Sequence, residues 1–194
     1  KEPENGINAL DACHLVLAGI NAMRQQFGAG VKIHEIITNG GQTPNIIPGY
    51  ASMWIFARAV DKELLEKAVA RIVNIGKGAS LMTGAEFKYK RAENTFYDLK
   101  RDAVLNSYMK ANLAELGITK LEEGDKYNCE STDMGNVSYI CPTCYTTLST
   151  AHLSDAGLHE QGFVEVAGSQ GAKELIHTAA KAMAMTAVDV MAKR

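Results

Sequence analysis

Hydrophobic and polar positions follow regular patterns through the first ninety residues and predict helix, strand, strand, helix, strand. Between Gly6 and Phe27 the apolar residues recur at helical spacing, with polar residues on the other side. Residues 31–38 are rich in β-branched side chains, and residues 51–59 alternate as a strand with two different faces does. Residues 39–41 supply an asparagine and two glycines, which tolerate positive φ, so a turn is predicted between the two strands.

A second helix and a third strand complete this pattern. Asp61 is a suitable N-cap for the helix, and Phe87 and Tyr89 then alternate with charged residues, which is typical of a half-exposed strand. The order predicts an α+β fold with both helices on one face of a small antiparallel sheet. It corresponds to a ferredoxin-like βαββαβ unit that lacks its first strand, whose place would lie before Lys1. The open sheet edge that results predicts a homo-oligomer.

The second half of the chain shows fewer elements than a domain of its own needs. Helical spacing predicts a helix over 102–116, and the apolar run 137–141 predicts a strand. A final helix over 170–191 has apolar residues on several faces, which is typical of a buried helix. One strand and two helices cannot enclose a core, so these residues are interpreted as the C-terminal part of a larger α/β domain. We therefore expect two domains, 1–92 and 93–194.

Composition and charge argue against several classes of protein. Hydrophobic residues make up 46% of the 194 residues, and the formal net charge is −2 with no basic block or acidic tail. Neither nucleic acid nor a membrane surface is therefore expected as a partner. No apolar run reaches the roughly 18 residues that a membrane span needs. The four cysteines are too unevenly placed for a disulfide framework, so a cytoplasmic location is expected.

Two cysteines and two loop histidines are the first candidates for chemistry. Cys141 and Cys144 form a CxxC motif, which occurs in redox dithiols and in zinc sites. The motif does not open a predicted helix, and no second CxxC completes a zinc site. Two buried structural cysteines are therefore favoured, and a redox protein is kept as an alternative. His152 and His159 lie in a polar loop, where a surface histidine is the commonest outcome.

Several segments, in the same order along the chain, resemble the aminoacylase/carboxypeptidase family of dimetal peptidases and amidohydrolases. Residues 6–12 resemble the first helix of its lid domain, and residues 38–48, followed by Arg58, resemble a later part of that lid. Residues 131–138 resemble the loop that re-enters the catalytic domain, and residues 159–169 resemble the segment with the last metal-ligand histidine. The resemblance is closest to the branch that cleaves aminobenzoyl-glutamate, acyl-amino acids and unusual dipeptides. It implies that the chain is the C-terminal portion of such an enzyme.

The resemblance implies that Asn45 and Arg58 hold the carboxylate of the substrate. An arginine fork binds a carboxylate through two hydrogen bonds, and an amide NH2 adds a third donor. The plain alternative for Arg58 is a surface charge on a strand, although it shares a predicted face with Trp54 and Phe56. The implied substrate is a small amide or dipeptide with a free carboxylate.

The same resemblance implies roles for two further groups of residues. Ser131, Thr132 and Asp133 would line the substrate pocket, with local side-chain capping of a loop as the alternative. His159 would bind one of two metal ions, zinc or manganese, that activate water for amide hydrolysis in the intact enzyme. The other metal ligands and the general base lie upstream of the lid in this family, so no catalytic residue is assigned within the chain.

These implications give one principal expectation and one alternative for the chain by itself. A catalytic zinc normally takes three protein ligands, and the family pattern supplies one here. The isolated chain is therefore expected to hold no zinc or manganese and to hydrolyse nothing. The alternative is a non-catalytic dimerisation or carboxylate-binding module.

Overall fold

The protein is described here by a computed structural model that covers residues 1–122, 124 and 131–192. These residues form two compact units. Unit 1 comprises residues 1–98, 124 and 131–132, and unit 2 comprises residues 99–122 and 133–192. The division into two domains after residue 92 remains a prediction.

Unit 1, as far as it is described, is built from two α-helices and two strands. Its elements are α1 (Ala9–Phe27), β1 (Val31–Asn39), β2 (Ser52–Ala59) and α2 (Lys62–Thr83), with 3-10 turns at Pro3–Asn5 and Gly28–Gly30. α1 begins at Asn8, whose side chain accepts the N–H of Leu10 at 3.0 Å. α2 begins at Asp61, the predicted cap, whose carboxylate accepts the N–H of Leu64 at 2.7 Å. Gly84 ends α2 with a φ of +77°, the left-handed conformation that glycine adopts most readily.

β1 and β2 form an antiparallel sheet that is packed on one side and open on the other. Val31 lies opposite Ala59 and Ile37 lies opposite Met53, so the odd-numbered residues of both strands share one face. The core lies between this face and the helices, and its buried members are Val16, Ile20, Met23, Ile33 and Ala79. Both helices therefore pack against the same face of the sheet, as the pattern predicted.

Residues 86–90 form no strand, so the prediction of a third strand is wrong. In a ferredoxin-like unit the last strand pairs with the first, and the described residues contain no first strand for it to join. The ring of Phe87 instead packs on α2 at Gly76, where a methyl group would overlap it. The α+β class fits the helices and the two-stranded sheet, whereas the ferredoxin-like plan is not confirmed.

Unit 2 consists, in its described part, of helices joined by irregular loops. These helices are α3 (Ala103–Glu115), α4 (Met134–Ser138), α5 (Gly162–Gly168) and α6 (Gln170–Ala192). α3 begins at Asp102, whose carboxylate accepts the N–H of Leu105 at 2.8 Å. α3 packs against α6 around the buried Asn112. The Asn112 amide donates to the Thr186 hydroxyl at 3.1 Å and to the Asp189 carboxylate at 2.9 Å.

The apolar run 137–141 is not a strand, so that prediction is also wrong. It belongs largely to α4, where the N–H of Cys141 donates to the carbonyl of Val137 at 3.0 Å in the manner of a helix. The Ser138 hydroxyl donates to the carbonyl of Gly135 at 2.6 Å and accepts the N–H of Lys100 at 2.9 Å. Local hydrogen bonds therefore override the strand propensity of the apolar residues.

α6 is less buried than its sequence predicts. Ile176, Met183 and Met191 are all more than 60% exposed. The reason is that the helix packs against α3 and α5, which cover only part of its apolar circumference. None of the described helices is both long enough and apolar enough to cross a membrane.

Candidate functional site

The open face of the two-stranded sheet carries Arg58, one of the two predicted carboxylate ligands. Even-numbered residues of both strands point to this side, away from the helices. The rings of Trp54 and Phe56 lie on it with their centroids 5.3 Å apart, and each residue is nearly half exposed. Lys32 lies directly opposite Arg58 on the neighbouring strand. An aromatic surface beside two cationic side chains is suited to an anionic organic molecule.

Asn45, the other predicted carboxylate ligand, lies in the loop between the strands. It is exposed, in a turn where the N–H of Ile46 donates to the carbonyl of Thr43 at 3.2 Å. β2 begins on the loop side at Ser52, and Arg58 lies six residues further along, which is about 20 Å in an extended strand. A single carboxylate can contact both side chains only if the loop turns back over the sheet or belongs to another copy.

Contacts with the start of α1 hold this loop at the end of the sheet that lies away from Arg58. The carbonyl of Pro48 accepts the N–H of Ala9 at 2.9 Å, and the side chain of Ile47 packs on Gly6. Gly41 has a φ of +115°, and a Cβ atom there would lie 2.9 Å from the Pro48 ring, so glycine is needed for this close approach. These contacts oppose a return of the loop toward Arg58.

Ser131, Thr132 and Asp133 form the link that leads into α4. Ser131 and Asp133 are exposed, and Thr132 is partly buried. The backbone carbonyl of Asp133 accepts the N–H of Asn136 at 2.9 Å, but its side chain makes no capping hydrogen bond to the helix. The alternative of local side-chain capping is therefore not supported for Asp133. The role of the three residues in a substrate pocket remains a prediction.

His159, the predicted metal ligand, lies exposed in the loop before α5 with an unusual backbone conformation. Its φ of +71° is the only positive value of a non-glycine residue in the described part of the chain. The left-handed conformation costs an L-residue roughly 1–2 kcal/mol. Two hydrogen bonds close the turn around it: the N–H of Gly157 donates to the Glu160 carboxylate at 2.9 Å, and the N–H of Glu160 donates to the carbonyl of Gly157 at 3.2 Å. Such strain is concentrated at functional sites in proteins.

The residues that the structure describes do not complete a metal site. Within residues 1–122, 124 and 131–192, no three His, Cys, Asp or Glu side chains converge closely enough to hold an ion. His159 would therefore need ligands from elsewhere, and no catalytic step can be derived from these residues through a metal. A shallow depression lined by residues 91–95 contains none of the predicted site residues. That the chain alone holds no zinc or manganese remains a prediction.

The cysteines do not match the predicted buried pair. Cys141 is exposed and Cys144 is half-buried, and both are free thiols. The Cys144 sulfur lies 3.7 Å from the hydroxyl oxygen of Thr146. Cys13 is the buried one, and its burial raises the pKa of the thiol. A fully buried structural pair at the CxxC motif is therefore wrong.

Residues 2–79, which include both strands and most of both long helices of unit 1, match the sequence profile of the peptidase dimerisation domain. They belong to that family. The site residues Asn45 and Arg58 thus lie within a peptidase dimerisation domain, and the resemblance to peptidases and amidohydrolases is confirmed.

Three relatives extend the similarity beyond the dimerisation domain. The chain is 34% identical to the Xaa-Arg dipeptidase of Mus musculus over 193 residues and 34% identical to that of Homo sapiens over 194 residues, which is 98% of the chain in each case. It is 33% identical over 82 residues, 42% of the chain, to one of the subunits of p-aminobenzoyl-glutamate hydrolase from Escherichia coli (strain K12), of which it covers 17%. The chain spans 44% of the length of each Xaa-Arg dipeptidase.

One neighbour of the predicted site in the dimerisation domain is missed by sequence reasoning. Alternation along 51–59 indicates that Arg58 shares a face with Trp54 and Phe56, but it says nothing of the neighbouring strand. Lys32 becomes the cross-strand partner of Arg58 only through the register of the hairpin. That register depends on the conformation of the long loop between the strands, which has no short turn motif to specify it.

Proposed function

We propose that the chain carries the substrate-carboxylate site and the last metal-ligand histidine of a metal-dependent peptidase or amidohydrolase. Its substrates would be N-acyl amino acids, aminobenzoyl-glutamate-like compounds or dipeptides. The observation that carries the proposal is the 34% identity to Xaa-Arg dipeptidase over 98% of the chain, because that match includes residues of both units. Since the chain spans 44% of that relative, hydrolysis is assigned to the whole protein and not to this segment.

Arg58 would bind the free carboxylate of the substrate, with Asn45 as an additional donor. Arg58 lies on the open face of the sheet beside Lys32, where two cations favour an anion. The rings of Trp54 and Phe56 offer an apolar surface to the rest of the molecule. An amide or dipeptide with a terminal carboxylate combines these two properties.

His159 would be the metal ligand of this segment, and Ser131, Thr132 and Asp133 would line the pocket. The strained backbone of His159 supports a functional role, because a residue without one would relax more easily with glycine at this position. Zinc or manganese would supply Lewis-acid activation of water once its remaining ligands are present. This chain would contribute one ligand and the orientation of the substrate.

Hydrolysis and metal content test the proposal on the purified chain. We expect no release of arginine from an Xaa-Arg dipeptide and no cleavage of p-aminobenzoyl-glutamate, with or without added zinc or manganese. Elemental analysis after dialysis should find less than one metal ion per chain. Turnover that disappears in a His159→Ala variant would contradict the expected inactivity, since the missing ligands would then come from this chain or its copies.

Carboxylate binding tests the role of Arg58 directly. Titration of the chain with p-aminobenzoyl-glutamate, followed by calorimetry, should show binding that Arg58→Ala weakens by roughly 1.5–3 kcal/mol, the worth of a hydrogen-bonded charge. Arg58→Lys should recover only part of this, because lysine cannot bind in a bidentate way. Arg71→Ala, an exposed arginine of α2, is the matched control and should bind as the unchanged protein does. Equal affinity for all variants would remove Arg58 from the site.

A non-catalytic module that binds carboxylates or dimerises is the second candidate. It is favoured by the position of Asn45 and Arg58, which both lie inside the matched dimerisation domain. Mass spectrometry of the protein isolated from its natural source separates the two candidates. A longer polypeptide that hydrolyses a dipeptide supports the enzyme. A polypeptide of 21.0 kDa that binds the ligand without turnover supports the module.

A further inference from the structure

The backbone groups on the two outer edges of the sheet can be identified from one hydrogen bond. The N–H of Val60 donates to the carbonyl of Gly30 at 3.0 Å, which continues the register of β1 and β2 by one pair. In an antiparallel sheet, pairs that exchange hydrogen bonds alternate with pairs that do not. Even-numbered residues therefore bond across the hairpin. The N–H and C=O groups of odd-numbered residues point to the outer edges.

The outer edge of β1 is blocked near its centre. Arg24, near the end of α1, donates one guanidinium hydrogen bond to the carbonyl of Ile33, which is one of the outward groups. Its other nitrogen donates to the Glu35 carboxylate, with a distance of 2.6 Å to Oε2. The side chain of Glu35 is only 10% exposed, so the ion pair lies close against the strand. Charged side chains on an edge oppose pairing with another strand.

The outer edge of β2 is open by comparison. Its outward groups belong to Met53, Ile55 and Ala57, and no described residue forms a backbone hydrogen bond with them on that side. The strand has one charged residue, Arg58, which lies near its end. An unpaired edge of this kind is a template for strand addition.

We propose that β2 pairs with β2 of a second copy, antiparallel and centred on Ile55, to form a continuous four-stranded sheet. In this register Ile55 lies opposite the partner's Ile55, and Met53 lies opposite the partner's Ala57. All of these residues present outward N–H and C=O groups, so each pair can exchange two hydrogen bonds. The contact is isologous, as a two-fold axis requires.

The sequence of β2 is complementary to itself in this register. Trp54 lies opposite the partner's Phe56, and cross-strand aromatic pairs stabilise a sheet. Arg58 lies opposite the partner's Ser52, so the two arginines are kept apart. A second copy is the occupant we favour, because the residues that match the peptidase dimerisation domain include the whole strand. This step does not depend on any hydrolytic activity.

The same register places the loop of the partner beside Arg58. Opposite residues in an antiparallel pair have Cβ atoms about 5 Å apart on the same face. The partner's Ser52 therefore comes close to Arg58, and the partner's loop with its Asn45 follows directly. The separation of about 20 Å within one copy disappears when the two ligands come from different copies. This second step, a carboxylate site shared between copies, rests on the proposed function.

Hydrogen exchange of the unmodified chain at several concentrations tests the edge. We expect slower exchange of the Met53, Ile55 and Ala57 amides as sedimentation shows a dimer forming, while the Glu35 amide stays unchanged. The fluorescence of Trp54, the single tryptophan, should change over the same range. Protection of β1 in the dimer, protection of β2 in a monomer, or a monomer at every concentration would each overturn the proposal.

Variants on each edge supply a second test. The N–H of Ala57 points outward, so Ala57→Pro removes a bond between copies and none within the hairpin. It should weaken the dimer roughly tenfold or more, whereas Ala57→Val, which keeps the N–H, should not. Arg24→Met frees the edge of β1 and should produce species larger than a dimer. A dimer of unchanged stability in a folded Ala57→Pro variant, judged by circular dichroism, would refute pairing at β2.

Mixing two inactive variants tests the shared site. Asn45→Ala and Arg58→Ala chains should each bind p-aminobenzoyl-glutamate poorly, and their equimolar mixture should recover about one quarter of the sites, because half of the dimers then hold one intact pair. No recovery with dimers present would mean that both ligands act within one copy. Failure of the unmodified chain to bind would reject the carboxylate role, and hydrogen exchange would still decide the pairing.

Discussion

In unit 1 the helices α1 and α2 close over a sheet and bury a cluster of apolar side chains, whereas in unit 2 α3 and α6 meet around a hydrogen-bonded amide. Ile20 is fully buried at the centre of the first cluster. In unit 2 the buried Asn112 and Thr186 form a polar contact between the helices, with Leu113 beside them. The open face of α6 carries exposed apolar residues that have no counterpart on α1 or α2 of comparable extent.

This difference teaches where stability and specificity come from in the two units. Apolar burial is strong but has little directional preference, so the layers of unit 1 are held by the volume that they share. A buried amide has a definite set of partners, so it fixes how α3 and α6 align and penalises other alignments. Unit 2 gains its alignment from hydrogen bonds and relatively little from packing.

Truncation of the apolar centre should have the largest effect. Ile20→Ala removes a fully buried side chain and should lower the free energy of unfolding of unit 1 by about 2–5 kcal/mol. Met183→Ala on α6 deletes a similar volume at a site that is 64% exposed and should change the stability of unit 2 by less than about 0.5 kcal/mol. Urea unfolding followed by Trp54 fluorescence and by circular dichroism measures both. Similar losses would contradict the comparison.

Removal of the buried amide should have an intermediate effect that is confined to unit 2. Asn112→Ala leaves the Thr186 hydroxyl without its donor and should cost about 1–3 kcal/mol. Faster hydrogen exchange should appear in α6 and not in β1. Ser107→Ala, which removes a hydroxyl bonded only to the carbonyl of Val104, is the control on the same helix. Faster exchange in both units would show that they unfold together.

Two glycines of α2 give a sharper test of packing in unit 1. A methyl group at Gly76 would overlap the Phe87 ring, so Gly76→Ala should destabilise by about 1–3 kcal/mol. Gly78 has nothing within contact distance, so Gly78→Ala should stabilise the helix by about 0.5–1 kcal/mol. Thermal unfolding should shift in opposite directions for the two variants. A stabilising Gly76→Ala would mean that Phe87 is not held against the helix.

Thiol reactivity is expected to give the smallest effect, one of rate alone. Burial raises the pKa of the Cys13 thiol, so it holds less thiolate at neutral pH than the exposed Cys141 and reacts more slowly. Alkylation followed by peptide mapping should label Cys141 first. Raising the pH should accelerate both reactions, and Cys13 should approach the rate of Cys141 only when urea unfolds unit 1. Equal rates in the native protein would contradict the burial of Cys13.

The helices were the part of the fold that local sequence specified. Asp61 and Asp102 act as caps in the structure, and both helices begin within a residue of the predicted positions. Caps are readable because the side chain bonds to an N–H only two or three residues away. Alternation along β2 likewise predicted that Arg58 is exposed, since the period of a strand is local.

The features that the sequence could not specify depend on partners distant in the chain. Phe87 has the spacing of a strand residue, but it packs on Gly76, and no strand forms. The run after Val137 has strand-forming residues but is helical because Ser138 and nearby carbonyl groups bond locally. Arg24 gives no sign in the sequence that it reaches the carbonyl of Ile33. Each depends on geometry that the spacing of residues does not encode.

The left-handed backbone of His159 has a consequence for the evolution of this loop. Glycine, or to a lesser degree asparagine, would occupy a φ of +71° at lower cost than histidine. Selection for a stable turn alone would therefore let histidine drift to one of these residues. Retention of histidine across diverse natural variants would show that the imidazole is under selection in its own right. Its frequent replacement by glycine would show that only the turn around Gly157 and Glu160 is preserved.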